Sequence, residues 1–140
     1  MRYLGLDLGT KTLGVALSDL TNTIASTLGI IRFESEDYEK TYEPLKKIIE
    51  DYKITHLVLG LPKNMNNSIG FRGEATLEYK KLLEKWFKKE VIMIDERLTT
   101  IEATNYMLEA DISRKKRKKK IDALAANIIL QTYLDMVKKG

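Results

Sequence analysis

Cysteine is absent from the 140 residues, and histidine occurs once. That excludes disulfides, thiolate zinc sites and cysteine nucleophiles, and a single imidazole leaves little for a zinc site or a Ser-His pair. Any catalysis by this chain must therefore rest on carboxylates. The chain also lacks a long apolar run: nothing approaches the roughly 18 to 20 residues of a membrane span, and the opening Met1-Arg2-Tyr3-Leu4 carries no apolar signal region. The expectation is a soluble cytoplasmic protein without membrane contact. Aromatic residues make up only 8% of the chain and sit at core spacings, with no evident platform for stacking bases. Internal repeats and linker-like segments are missing too, and 44% hydrophobic residues suffice for one core. A single domain over residues 1–140 is expected.

What is present is charge, unevenly placed. The net charge is only +4, yet Arg114, Lys115, Lys116, Arg117, Lys118, Lys119 and Lys120 stand in an unbroken row. Without those seven the chain holds 17 basic against 20 acidic residues. Such a run is either a solvated face or a binding segment for a polyanion.

Hydrophobic periodicity divides the rest. Leu4, Leu6 and Leu8 alternate with Gly5, Asp7 and Gly9, predicting a strand over 3–8, and 13–18 predicts a second. The short Gly9-Thr10-Lys11-Thr12 between them suits a hairpin turn. A third strand is expected over 25–33. Leu45, Ile48, Ile49 and Tyr52 mark a helix beginning near Glu43-Pro44, and His56 to Leu59 reads as a buried parallel strand opening into a loop at Gly60-Leu61-Pro62. That loop is expected to reach about Gly73. Ala75, Tyr79, Leu82, Leu83 and Trp86 stripe a second helix, Val91 to Ile94 form a fifth strand, and the Thr99-x-x-Glu102 spacing of a capping box predicts a helix to about Ala110. Ile121, Leu124, Ala125, Ile128, Ile129 and Thr132 predict a last helix packed on the sheet. Three hairpin strands followed by helix-strand-helix-strand units imply an α/β protein. Its central mixed five-stranded sheet, three antiparallel hairpin strands plus two parallel ones, is flanked by helices in the order of the ribonuclease H-like fold.

Three acids stand out. Asp7 lies inside an apolar strand, where a carboxylate loses hydration unless a cation or several donors compensate it; the bland alternative is an Asp accepting N–H groups of the following turn. Glu96 follows the fifth strand, at the carboxyl edge where open α/β sheets bind ligands. Asp95 competes with it, the alternative for Glu96 is an exposed pair with Arg97, and residue order alone does not choose. Asp122 falls in the expected first turn of the last helix, where an acid is favourable by about 0.3–1 kcal/mol for structural reasons alone; its place directly after the basic run gives it functional weight. Three carboxylates suit a hard, oxygen-preferring divalent cation, Mg2+ or Mn2+, set against a nucleic-acid phosphate. His56, before a buried strand, reads as a structural residue. Lys63, Asn64, Asn66, Asn67, Ser68 and Arg72 crowd the loop after Pro62 with donors suited to phosphate and sugar, or are turn formers in a polar loop.

Four blocks in order resemble the YqgF family of Holliday junction resolvase-like proteins and pre-16S rRNA nucleases. They are Gly5-Leu6-Asp7-Leu8-Gly9-Thr10-Lys11 continuing to Gly14-Val15-Ala16-Leu17-Ser18-Asp19; Gly60-Leu61-Pro62-Lys63-Asn64-Met65; Asp95-Glu96-Arg97-Leu98-Thr99-Thr100; and Ser113-Arg114-Lys115-Lys116-Arg117-Lys118 with Ile121-Asp122-Ala123-Leu124-Ala125-Ala126. The resemblance covers nearly the whole length. It implies a ribonuclease H-like nuclease with its acidic site on Asp7, Glu96 and Asp122, and it selects Glu96 over Asp95. It further implies substrate contacts from Lys11, Arg72, Arg97 and the run from Arg114, and a role in maturing the 5′ end of the small-subunit rRNA precursor. Bacterial junction resolvases of this fold usually carry a second acid three residues from the last one; here those positions are Lys119 and Ala125. They also act as dimers, whereas this sequence shows no dimer interface and is expected to be a monomer or weak homodimer. Structured RNA, including pre-16S rRNA on ribosomal particles, is therefore placed ahead of branched DNA as partner. Two other readings stand beside it: an ATP-binding phosphate loop of the actin and sugar-kinase type, for which one domain is too little, and a nucleic-acid-binding module without catalysis.

Overall fold

The computed structural model describes residues 1–62, 69–95 and 114–139, with side chains in the final helix described over 124–137. Strand β1 (Tyr3–Leu8) turns back into β2 (Thr12–Ser18), which turns again into β3 (Ala25–Arg32). Helix α1 (Tyr42–Tyr52) leads to β4 (His56–Leu61), α2 (Phe71–Phe87) to β5 (Val91–Asp95), and α3 (Arg114–Lys139) closes the described chain. The five strands form one sheet in the order β3-β2-β1-β4-β5. β1 pairs antiparallel with β2 and β2 with β3, while β1–β4 and β4–β5 are parallel. This is the mixed sheet that the order of elements predicts.

The alternation of side chains along each strand sorts them between two cores. Leu4, Leu6, Leu8, Leu13, Val15, Leu57, Leu59 and Val91 face α1 and α2, where Leu45, Ile49, Tyr79 and Leu83 meet them. Tyr3, Ala16, Val58 and Ile94 face α3, against Ala126, Ile129, Leu130 and Leu134. Each fully buried Leu or Ile contributes about 1.5–3 kcal/mol relative to exposure. Helix α3 lies close on its face: a Cβ on Gly5 would stand 2.6 Å from Leu130 Cβ and 2.8 Å from the Ala126 carbonyl oxygen. Only a glycine admits the helix at that distance.

Strand ends shift from the sequence reading by a residue or two, β4 running on to Leu61, and two boundaries differ by more. The loop after β4 ends at Gly70, because Gly73 is already inside α2, where its missing side chain lets the first turn approach the Pro62 carbonyl. The last helix begins at Arg114, not near Ile121, so the basic run is its opening two turns; lysine and arginine are good helix formers. Asp122 consequently stands in the third turn, and the first-turn preference for acids does not explain it. The helix expected over 99–110 lies outside the described residues, as do Glu96, Arg97, Lys63, Asn64, Asn66, Asn67 and Ser68.

Candidate active site

Strand connections diverge between β1 and β4. From the carboxyl end of β1 the chain turns to β2, on one side of the sheet; from that of β4 it passes through α2 to β5, on the other. Such a reversal opens a crevice at the carboxyl ends of the strands. Asp7 lies at it, half-buried, on the face that Tyr3 and Gly5 turn toward α3.

Its neighbours across the sheet lack side chains. Gly14 is directly opposite Asp7 on β2. On β4 the register Leu6↔Leu59 places Gly60 at the next level, on the same face as Val58. A glycine on either side leaves the acid flanked by bare backbone on both neighbouring strands. Sequence reading singled out Asp7 but missed these two; an isolated glycine within a strand pattern was the available signal. In the turn after β1 the Gly9 N–H is donated to the Thr12 carbonyl at 2.7 Å.

Helix α3 runs antiparallel to β1: Tyr133 packs its ring 5.3 Å from that of Tyr3, and Ala126 and Leu130 lie over Gly5. From Gly5 to Asp7 the strand advances by about 7 Å. From Ala126 back to Asp122 the helix advances by about 6 Å in the same direction. The backbone of Asp122 is thus carried to the level of Asp7, on the same face.

Asp95 is not placed as Asp7's counterpart. It shares strand parity with Val91 and Met93, which belong to the α1/α2 core, whereas Ile92 and Ile94 pack toward α3. Of the two competing acids, Asp95 therefore occupies the opposite face from Asp7.

Among the basic residues, Lys11 is exposed in the β1–β2 turn at this same end. Arg72, in the first turn of α2, donates from Nη2 to the Leu8 carbonyl at 2.6 Å, a contact no sequence pattern announced. His56 sits at the other end of the sheet, with Nδ1 2.8 Å from Thr55 Oγ1 and Nε2 3.8 Å from Glu90. It is the structural residue expected. Among the described residues, no three His, Cys, Asp or Glu side chains gather as metal ligands, and no helix is long and apolar enough to cross a membrane.

Comparison with known proteins bears on the family and the fold. The family described as "RuvX: Holliday junction resolvase" matches residues 1–136. A Staphylococcus saprophyticus protein named "Putative pre-16S rRNA nuclease" is 51% identical over 138 residues, covering 98% of this chain and 97% of its own. One of the same name from Staphylococcus haemolyticus is 52% identical over 138 residues, with the same coverage. Among solved structures, Thermus thermophilus RuvC in complex with a Holliday junction substrate superposes with a TM-score of 0.65 at 12% identity, over 100% of this chain and 97% of that one. At that identity the likeness establishes the fold, which is ribonuclease H-like.

Proposed function

We propose, from the premise that this chain belongs to the RuvX family, that it is a metal-dependent endonuclease hydrolysing nucleic-acid phosphodiesters, with Asp7, Glu96 and Asp122 as its acids and precursor 16S rRNA as its substrate. The observation that carries this reading is the position of Asp7: a half-buried carboxylate at the divergence of β1 and β4, flanked by glycines, at the level to which α3 brings Asp122. Asp95 shares the face of Val91 and Met93, opposite Asp7, which supports Glu96 as the acid of that pair.

The donor set fits a hard cation. Without cysteine, and with the one histidine at the opposite end of the sheet, only oxygen ligands are on offer, as Mg2+ and Mn2+ prefer. When bound, such an ion lowers the pKa of water and neutralises charge on the phosphate. Asp7, Glu96 and Asp122 would hold it. The chain's own contribution is to fix Asp7 on a paired strand, so that no reorganisation is needed when substrate arrives.

Nucleic-acid contact falls to Lys11 in the β1–β2 turn and to Arg114, Lys115, Lys116, Arg117 and Lys118 in the opening of α3, together with Lys63, Asn64 and Arg97, which are assigned from the sequence alone. Arg72 donates from Nη2 to the Leu8 carbonyl. The opening of α3 supports the assignment, since a helix start with seven cations and no acid opposes the macrodipole. A polyanion across it removes that conflict. The domain would act as one unit in the cytoplasm, as monomer or weak homodimer.

The test is cleavage of structured precursor RNA and of branched DNA, each with Mg2+ and with Mn2+, by wild type and Asp7→Asn. Cutting of the RNA by wild type alone is expected. Preferential cutting of the junction would move the reading to Holliday junction resolution, and binding without cutting by either protein would reduce it to a nucleic-acid-binding module.

A further inference from the structure

The Leu8 carbonyl, one peptide beyond Asp7, has an unusual partner. Residues Thr10 and Lys11 form the tip of the β1–β2 hairpin, closed by the Gly9 N–H to Thr12 carbonyl bond of 2.7 Å. Alternation from that bonded pair makes Asp7–Gly14 bonded and Leu8–Leu13 non-bonded, so the main-chain polar groups of Leu8 point toward β4. In the β1–β4 ladder a carbonyl of β1 accepts from the residue just after its register partner. His56 N–H to the Arg2 carbonyl at 3.2 Å starts that pattern, and Leu57, whose N–H goes to Glu90, alternates to β5. Continued from Leu6↔Leu59, the pattern assigns the Leu8 carbonyl to the nitrogen of residue 62. Residue 62 is proline and has no hydrogen to give.

Arg72 replaces it, with Nη2 at 2.6 Å from that oxygen. Leu8 is only 4% exposed, and a buried carbonyl left without a donor is destabilising. The arginine is itself anchored. Its carbonyl accepts from Thr76 Oγ1 at 2.9 Å, and the neighbouring Gly73 seats the helix so close to the Pro62 carbonyl oxygen that a Cβ would lie 2.7 Å from it. Pro62 thus ends the ladder and parts β1 from β4, and the Arg72 side chain bridges the gap.

We propose that Arg72 is a positioning residue: through the Leu8 carbonyl it holds the main chain that presents Asp7, and with Pro62 it sets the width of the crevice between β1 and β4. This rests on the nuclease reading above and assigns Arg72 a role other than phosphate contact.

The experiment compares wild type, Arg72→Lys, Arg72→Met and the double variant Arg72→Met with Pro62→Ala, which returns an N–H to residue 62. Two readouts are taken: kcat and KM for cleavage, and the 13C shifts of the Leu8 carbonyl and the Asp7 carboxyl in metal-free protein. Arg72→Met should lower kcat about tenfold or more while KM stays within about twofold. It should move both shifts, with Arg72→Lys intermediate and Pro62→Ala restoring kcat and shifts part of the way. A raised KM with kcat intact and the Leu8 carbonyl unmoved would make Arg72 a phosphate contact and overturn the proposal. So would failure of Pro62→Ala to restore anything. Should wild type cut no substrate, the nuclease reading falls, and the two shifts still decide this one: joint movement and recovery uphold it, and an unmoved Asp7 carboxyl overturns it.

Discussion

Each end of the sheet carries an aspartate just where a hairpin strand finishes, and the two are used differently. At the amino end of β1, Asp19 follows β2 and accepts from the Thr21 hydroxyl at 2.7 Å and from the N–H groups of Thr23 and Ile24 at 2.8 and 3.2 Å. Its neighbours form a closed set: Tyr3 N–H to Ser18 Oγ, Ser18 to Asn22, Asn22 to the Met1 carbonyl, and Arg2 N–H to Thr55. At the carboxyl end, Asp7 is flanked by Gly14, Gly60 and a proline that interrupts the ladder. One end is made of groups that complete each other. Among the described residues, the other sets Gly14 and Gly60 beside Asp7 and a proline where an N–H would have continued the ladder. The first arrangement serves stability, and the second is the one proposed to take a ligand.

The largest test of that contrast exchanges the two acids. Asp7→Asn should reduce cleavage by about a hundredfold or more while leaving the melting temperature unchanged or raised, as when a functional site is relaxed. Asp19→Asn should do the reverse in kind: full activity, with a modest loss of thermal stability. Calorimetry beside a cleavage assay reads both, and an Asp7→Asn protein that melts early would place that acid among the structural ones.

Between the ends lies Gly5, where α3 meets the sheet. Gly5→Val would put a branched side chain against the Leu130 Cβ and Ala126 oxygen, a case of overpacking against backbone worth about 1–3 kcal/mol of destabilisation. Urea unfolding measures it. Because the same helix carries Tyr133 to the amino end and Asp122 to the carboxyl end, activity should fall together with stability. Activity preserved in a destabilised variant would show that the two ends tolerate movement of α3 independently.

How far the residues alone reveal this depends on the distance over which the information acts. Strand β1 was readable because Leu4, Leu6 and Leu8 alternate within six residues, and Asp7 stood out against them. Local patterning also gave α1, α2 and β5 to within a few residues. The start of α3 was not readable, since seven cations look like a loop or tail until the helix behind them propagates forward. Nor was the face of Asp95 readable from residue order alone: it turns on parity in β5, which the α1/α2 core fixes through Val91 and Met93. Arg72 on Leu8 spans 64 residues, and Gly14 beside Asp7 depends on hairpin register. Such contacts belong to the fold and leave no local trace.

Charge offers a smaller test. Changing Lys115, Lys116 and Lys118 to glutamine should reduce the slope of log affinity against log salt by about two, since every phosphate left without its lysine lowers that slope by roughly 0.7–0.9. Three lysines at the amino end, Lys53, Lys88 and Lys89, provide the control, and their replacement by glutamine should leave the slope alone. Fluorescence anisotropy on a structured RNA over a salt series reads both. Equal slopes for the two triple variants would mean that polyanion binding is not confined to the carboxyl end.

The smallest effect concerns acid. The Thr21 hydroxyl, then the N–H groups of Thr23 and Ile24, hold the Asp19 carboxyl below its ordinary value of 3.8. A carboxyl depressed in the folded state adds stability that is complete above its unfolded value and is lost as pH falls through its folded one. Asp19→Ala should accordingly melt slightly earlier than wild type at neutral pH, and the gap should close on acidification from about pH 5 toward about pH 2. Melting curves of both proteins across that range decide it. A gap that persists undiminished into strong acid would mean that the side chain orders its turn without its charge, and the contrast between the aspartates at the two ends would then rest on geometry alone.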